Sequence, residues 1–183
     1  MSRLIIICLL LLGGVYLAAR GLGLTPEQIE DQVLLAELNV AEGAAFRAEN
    51  AQRPGVVTLA DGLQVEVLVE GQGPYPGTED WVRVHYRGWR VDGREFENSW
   101  RRGEPATVTV DRTIPGWQAV LVSVPVGSRV KLVVPPELAY GRPGSGIIGP
   151  EETLLFELEL LGIVEPQVAH EPAEWEKPVP NLR

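Results

Sequence analysis

The sequence predicts an α+β domain preceded by a helical arm and an apolar N-terminal segment. Between Val56 and Val164, short runs rich in Val, Leu, Thr and aromatic residues read as strands, and Gly, Pro and Asp turn signals separate them. Asp92-Gly93, set between two such runs, is a hairpin signal. Within this region only Pro115 to Leu121 reads as a helix.

The elements follow in order. Leu4 to Ala19 is an apolar run with no charge inside it, flanked by Arg3 and Arg20. Sixteen helical residues would span roughly 24 Å, short of a roughly 30 Å bilayer core, and Leu22, Leu24 or a snorkelling Arg20 would make up the difference. Arg3 precedes the run and Glu27, Glu30 and Asp31 follow it, which places the N-terminus in the cytoplasm and the rest outside. Residues 4–19 therefore read as an inner-membrane anchor of a periplasmic protein. A cleaved signal peptide is the alternative, for which Ala19-Arg20-Gly21 is a poor match.

Thr25-Pro26-Glu27-Gln28 carries an N-cap, a first-turn proline and the closing residue of a capping box. Ile29, Val33, Ala36 and Val40 form one apolar stripe, Gly43 weakens the helix, and Arg53-Pro54-Gly55 ends it. The stripe would lie on the domain or on a second copy of the chain, as a homodimer. Leu63 to Glu70 alternates, with Leu63, Val65, Val67 and Val69 on one face. Trp81 to Arg90, Glu95 to Asn98, Ala106 to Val110, Ser128 to Val134 and Leu154 to Val164 are the remaining strands. Gly88, Gly93, Gly127 and Gly141 read as turn residues. The chain thus divides into an N-terminal segment (1–24), a helical linker (25–55), a domain (56–164) and a tail (165–183). The tail holds four prolines and scattered acids and is not expected to fold.

Composition excludes several classes. A formal net charge of -9 argues against a nucleic-acid partner. The single cysteine, Cys8, lies in the apolar run, so no internal disulfide or thiol metal site can form. His85 and His170 lack spaced ligand partners, and no metal or cofactor is expected. Gly144-Ser145-Gly146-Ile147-Ile148-Gly149 matches a dinucleotide fingerprint in letters, but Pro150 and a strand-like run follow where a helix would have to open.

Five segments occur in succession: Val84-His85-Tyr86-Arg87-Gly88, Asp92-Gly93-Arg94-Glu95-Phe96, Ile114-Pro115-Gly116-Trp117, Leu138-Ala139-Tyr140-Gly141, and Thr153 through Leu161. Their order and gaps resemble the FKBP-type peptidyl-prolyl cis–trans isomerases over about 110 residues. Phe46-Arg47-Ala48-Glu49-Asn50-Ala51 leading to Gly62-Leu63-Gln64 resembles the subgroup of macrophage infectivity potentiator-like periplasmic enzymes. The resemblance implies a twisted antiparallel sheet wrapped around one short helix, with an aromatic pocket between them. It implies that Tyr86, Phe96, Glu97, Trp117, Tyr140 and Phe156 are catalytic, and that Arg102, Thr113, Ile114 and Ile148 bind substrate. Proline-containing polypeptides are the implied substrates, and a macrolide is a further implied ligand.

Three positions depart from the family pattern. Glu97 stands where aspartate is usual, with a longer stem that can still reach Arg102. Ala106 stands where a larger side chain is common, which would open that wall. Ser145 is nearest to where other members carry a histidine. Trp117 would floor the pocket and Tyr86, Phe96 and Phe156 would wall it, while the Ile114 N–H and the Tyr140 hydroxyl would donate to substrate carbonyls. His85 and Trp89 are expected to be structural, and Trp100 has no assigned role. The alternative is a non-catalytic FKBP-like chaperone or docking module tethered to the membrane.

Overall fold

The computed structural model describes residues 25–164. The expected N-terminal segment (1–24) and tail (165–183) lie outside the described residues. Helix α1 (Pro26–Asn50) starts as its sequence predicts: the Thr25 side chain accepts the Gln28 N–H, and the Gln28 side chain accepts the Thr25 N–H at 2.9 Å. It ends before the expected Arg53-Pro54-Gly55. Gln64 Nε2 donates to the Arg47 carbonyl (2.7 Å) and Gln64 Oε1 accepts from Asn50 (2.8 Å), so buried amides terminate the helix from the neighbouring strand.

The apolar stripe does not dock α1. Val33 and Val40 are about half exposed. The helix is held instead by Asn39 Nδ2 donating to the Pro150 carbonyl (2.7 Å), by Arg47 bonding Thr153, and by Gly43. A Cβ at Gly43 would lie 2.3 Å from Thr153 Oγ1, so this glycine permits a close approach rather than merely weakening the helix.

Seven antiparallel strands follow: β1 (Val56–Thr58), β2 (Gln64–Val69), β3 (Trp81–Arg90), β4 (Glu95–Asn98), β5 (Ala106–Thr109), β6 (Arg129–Val134) and β7 (Leu154–Val164). The sheet order is β1-β2-β6-β7-β3-β4, and β5 pairs with the other end of β3's outer edge. The expected alternation along β2 holds at its start only. Leu63 is buried and Val65 partly so, whereas Val67 and Val69 are half exposed where the register against β6 shifts. The strand expected to reach Val110 stops at Thr109, because Val110 turns into a single 3-10 turn, Val110–Arg112, while its side chain stays buried.

One concave face carries the core. Val82 and Val84 of β3, Leu132 and Val134 of β6, and Leu158 and Leu160 of β7 all face α3 (Pro115–Leu121). That helix buries Gly116, Trp117, Val120 and Leu121 against them. It is not the domain's only helix: α2 (Ser99–Arg102) adds one turn, capped by Asn98 and closed by left-handed Gly103. The Ser99 hydroxyl oxygen accepts the Tyr86 N–H (2.7 Å) and lies 2.8 Å from His85 Nδ1. Trp100 stacks on His85 with centroids 5.2 Å apart, and the Arg129 guanidinium lies over its ring. These contacts give Trp100 a structural place on the opposite face of the sheet.

On that face Glu157 is buried between two arginines. Arg87 donates to its Oε2 (2.6 Å) and Arg129 Nε to its Oε1 (2.6 Å). Burial pushes the carboxyl up, but the two guanidinium groups outweigh it and hold the group below the ordinary carboxylate range. Glu157→Gln should therefore cost about 2 kcal/mol at neutral pH by urea denaturation. The stabilisation is complete above the unfolded carboxyl value of about 4.3 and is lost as pH falls through the lower folded value. The gap between wild type and variant should accordingly close in strong acid.

Candidate functional site

The open end of the core forms a concavity of about 740 Å³ between α3 and the concave face of the sheet. Tyr86 of β3, Phe96 and Glu97 of β4, Thr113 and Ile114 before α3, Trp117 of α3, Tyr140 and Ile148 of the loop before β7, and Phe156 of β7 all border it. Nine of the ten expected residues thus meet around one pocket. The tenth, Arg102, does not border it; it is paired with the Glu97 carboxylate at the pocket's edge.

Aromatic rings define the walls through three edge-to-face contacts. Tyr86 meets Trp117 at 5.0 Å between centroids, Trp117 meets Phe156 at 5.3 Å, and Phe156 meets Phe96 at 5.8 Å. Such pairs contribute about 0.5–1.5 kcal/mol each beyond simple burial. Gly88, expected as a turn residue, lies within β3 under these rings. A Cβ there would come within 2.5 Å of Phe96 Cζ and 2.9 Å of Phe156 Cε1. The absent side chain makes room for two walls of the pocket.

Polar groups are few. Burial raises the Tyr86 phenol above its ordinary value, and the Glu97 carboxylate adds to the rise while Arg102 opposes it. The hydroxyl therefore stays neutral through the physiological range. The Ile114 N–H donates to no backbone carbonyl among the described residues, leaving it free beside Trp117. The buried Trp117 Nε1–H has no hydrogen-bond partner among the described residues. The Thr113 hydroxyl is committed to the Val110 carbonyl (2.7 Å).

Ala106 does not border the pocket as expected; it packs on the core from β5. Val108, two residues on, takes that wall. Strand parity could have found it, since Val108 lies opposite inward-facing Val82. Arg112, Ala139 and Ile147 also border the site. Ala139 sits inside a quoted segment, whereas no local signal marks Arg112.

The loop over the pocket is a narrow turn in which Ser145 and Ile148 exchange backbone bonds of 2.9 Å in both directions. Gly144 is left-handed, and a Cβ on it would lie 2.3 Å from the Ile148 carbonyl. The glycines serve this turn and open no helix, which removes the dinucleotide reading on structural grounds.

The fold and site define a class: a β-sheet domain with an apolar, aromatic-walled pocket suited to a compact apolar group, presenting hydrogen-bond donors but neither a cysteine nor a histidine among its lining residues. The comparisons with known proteins specify it further. Residues 73–161 match the family model described as FKBP-type peptidyl-prolyl cis-trans isomerase, and residues 23–67 match a domain amino-terminal to it. The chain belongs to the FKBP-type peptidyl-prolyl cis–trans isomerase family.

It is 48% identical over 125 residues to the FKBP-type 22 kDa peptidyl-prolyl cis-trans isomerase of Escherichia coli, covering 68% of this chain and 61% of that protein. It is 43% identical to the Outer membrane protein MIP of Legionella longbeachae, over 70% of this chain and 55% of that one. The match thus spans a little over half the length of these relatives. The crystal structure of FkpA from Escherichia coli superposes with a TM-score of 0.69 at 38% identity, covering 76% of this chain and 73% of that one. A Pseudomonas syringae peptidyl-prolyl isomerase structure superposes at 0.65 with 35% identity, over 71% of this chain and 96% of that chain.

Gly88→Ala should leave the domain folded but cost about 1–3 kcal/mol through overpacking. It should also displace Phe96 and Phe156, so that an X-Pro peptide no longer shifts the pocket resonances in an NMR titration. Unchanged stability and peptide binding would contradict the role given to this glycine.

Proposed function

We propose that the chain accelerates cis–trans rotation of X-Pro peptide bonds, with residues 56–164 as the catalytic domain. The observation that carries this reading is the aromatic floor and walls of Trp117, Tyr86, Phe96 and Phe156 beside the free Ile114 N–H. Rotation of a peptide bond makes and breaks no covalent bond, yet faces a barrier of about 18–20 kcal/mol. The planar amide is more polar than the twisted one, because resonance separates charge in the plane. Water therefore stabilises the planar state preferentially, and an apolar pocket removes that advantage. The proline ring packs on Trp117, while the Ile114 N–H and the Tyr140 hydroxyl hold the flanking carbonyls. Burial, helped by the Glu97 carboxylate, keeps the Tyr86 phenol protonated at the rim, while Arg102 braces Glu97.

The alternative, a docking module that holds proline segments without turnover, shares the pocket and differs only in rate. A protease-coupled assay of the full chain on X-Pro tetrapeptides separates them. Acceleration is expected, with Trp117→Leu and Phe156→Leu each lowering kcat/KM roughly 30-fold, the equivalent of about 2 kcal/mol. No acceleration would leave only the docking module. A macrolide bearing a proline-sized ring should compete in the same assay.

We further propose that residues 4–19 tether the domain outside the cytoplasmic membrane, and that α1 pairs with a second copy along Val33 and Val40. The charge asymmetry around the apolar run supports the first, and the exposure of that stripe supports the second. The full-length native protein should fractionate with membranes carrying its N-terminal residues, and Val33→Asp should convert a sedimenting dimer to a monomer. A native N-terminus beyond residue 20 would contradict the tether, and a wild-type monomer would contradict the pairing.

A further inference from the structure

A second concavity, of about 490 Å³, adjoins the aromatic pocket between α1 and the loop that carries Tyr140 and Ile148. Leu35 and Leu38 border it from the helix and Ile147 from the loop, with Glu42, Arg90 and Arg94 among its polar neighbours. The three apolar side chains are strongly exposed: Leu35 43%, Leu38 51% and Ile147 66%. Ile147 borders both concavities, so the groove continues the pocket across one side chain.

The groove is held in shape rather than formed by chance contact. Asn39 of α1 donates to the Pro150 carbonyl, Arg47 bonds Thr153, and Gly43 closes on Thr153 without a side chain. These three contacts fix the helix to the stretch between the pocket loop and β7. Leu35 and Leu38 thereby stand at a set position relative to Ile147.

We infer that this groove is a second subsite for the same polypeptide, taking apolar side chains of the segment flanking the bound proline. The inference rests on the pocket being the proline site. An extended chain leaving that site across Ile147 enters the groove, where it covers apolar surface that water otherwise wets. A tetrapeptide is too short to exploit the groove fully, whereas an unfolded protein fills both subsites. The polar rim carries both signs of charge, so selection there falls on apolar content.

The test uses the full chain and two substrates: an X-Pro tetrapeptide, and a reduced unfolded protein whose refolding is limited by an X-Pro bond. Leu38→Asp should lower the ratio of kcat/KM for the long substrate to that for the tetrapeptide by roughly tenfold, the effect of losing one apolar side-chain contact. Leu38→Met should restore the ratio. Leu34→Asp, a substitution at a still more exposed position on α1 that does not border the groove, should leave the ratio unchanged. An unchanged ratio in Leu38→Asp, or an equal fall in Leu34→Asp, would overturn the subsite while leaving the isomerase in place. Absence of tetrapeptide acceleration by the unsubstituted chain would overturn the isomerase reading, and the subsite with it.

Discussion

Strand β3 runs beneath the aromatic pocket, and at Gly88 it offers no side chain to the rings of Phe96 and Phe156 above it. Those rings support Trp117, which in turn meets Tyr86, so the pocket is a chain of edge contacts resting on one bare stretch of backbone. Interiors pack close to crystal density, and a single added methyl at such a point must displace something. The displaced groups here are the pocket walls themselves. The other parts of the domain can be understood as what keeps β3, β4 and β7 in register so that these rings meet.

Two devices maintain that register. On the concave face, α3 buries Trp117, Val120 and Leu121 against β3, β6 and β7. On the opposite face, the Glu157 carboxylate on β7 binds Arg87 on β3 and Arg129 on β6, tying three strands through one buried charge. A one-residue slip of β7 would exchange Glu157 with the Phe156 side of the sheet, which burial of the charge and of the ring both oppose. Electrostatics on the convex face and aromatic packing on the concave face thus enforce the same pairing.

Much of this was legible in the sequence, for particular reasons. The β7 limits, Leu154 and Val164, and the β3 limits, Trp81 and Arg90, were readable because long runs of strand formers sit between clear turn signals. The start of α1 was readable because capping chemistry is local. What escaped was non-local. Gly43 and Gly88 look like a flaw and a turn until Thr153 and the two phenylalanines, far along the chain, are seen against them. Val67 and Val69 keep an inward parity that a register shift undoes. Nine of the pocket residues follow from the order of short motifs rather than from periodicity, whereas Val108 lies outside all five motifs, two residues beyond Ala106 on β5.

A pocket that acts, as proposed, by desolvating a twisting amide has no proton in flight at the barrier. The phenol of Tyr86 is held neutral, and Glu97 remains paired with Arg102. Catalysed cis–trans exchange of an X-Pro peptide, followed by NMR in light and heavy water with the full chain, tests this most directly. Catalysis by desolvation alone predicts fast exchange with a solvent isotope ratio of about 1, whereas a ratio above ~2 would mean that a proton moves in the transition state and that the pocket acts as a general acid.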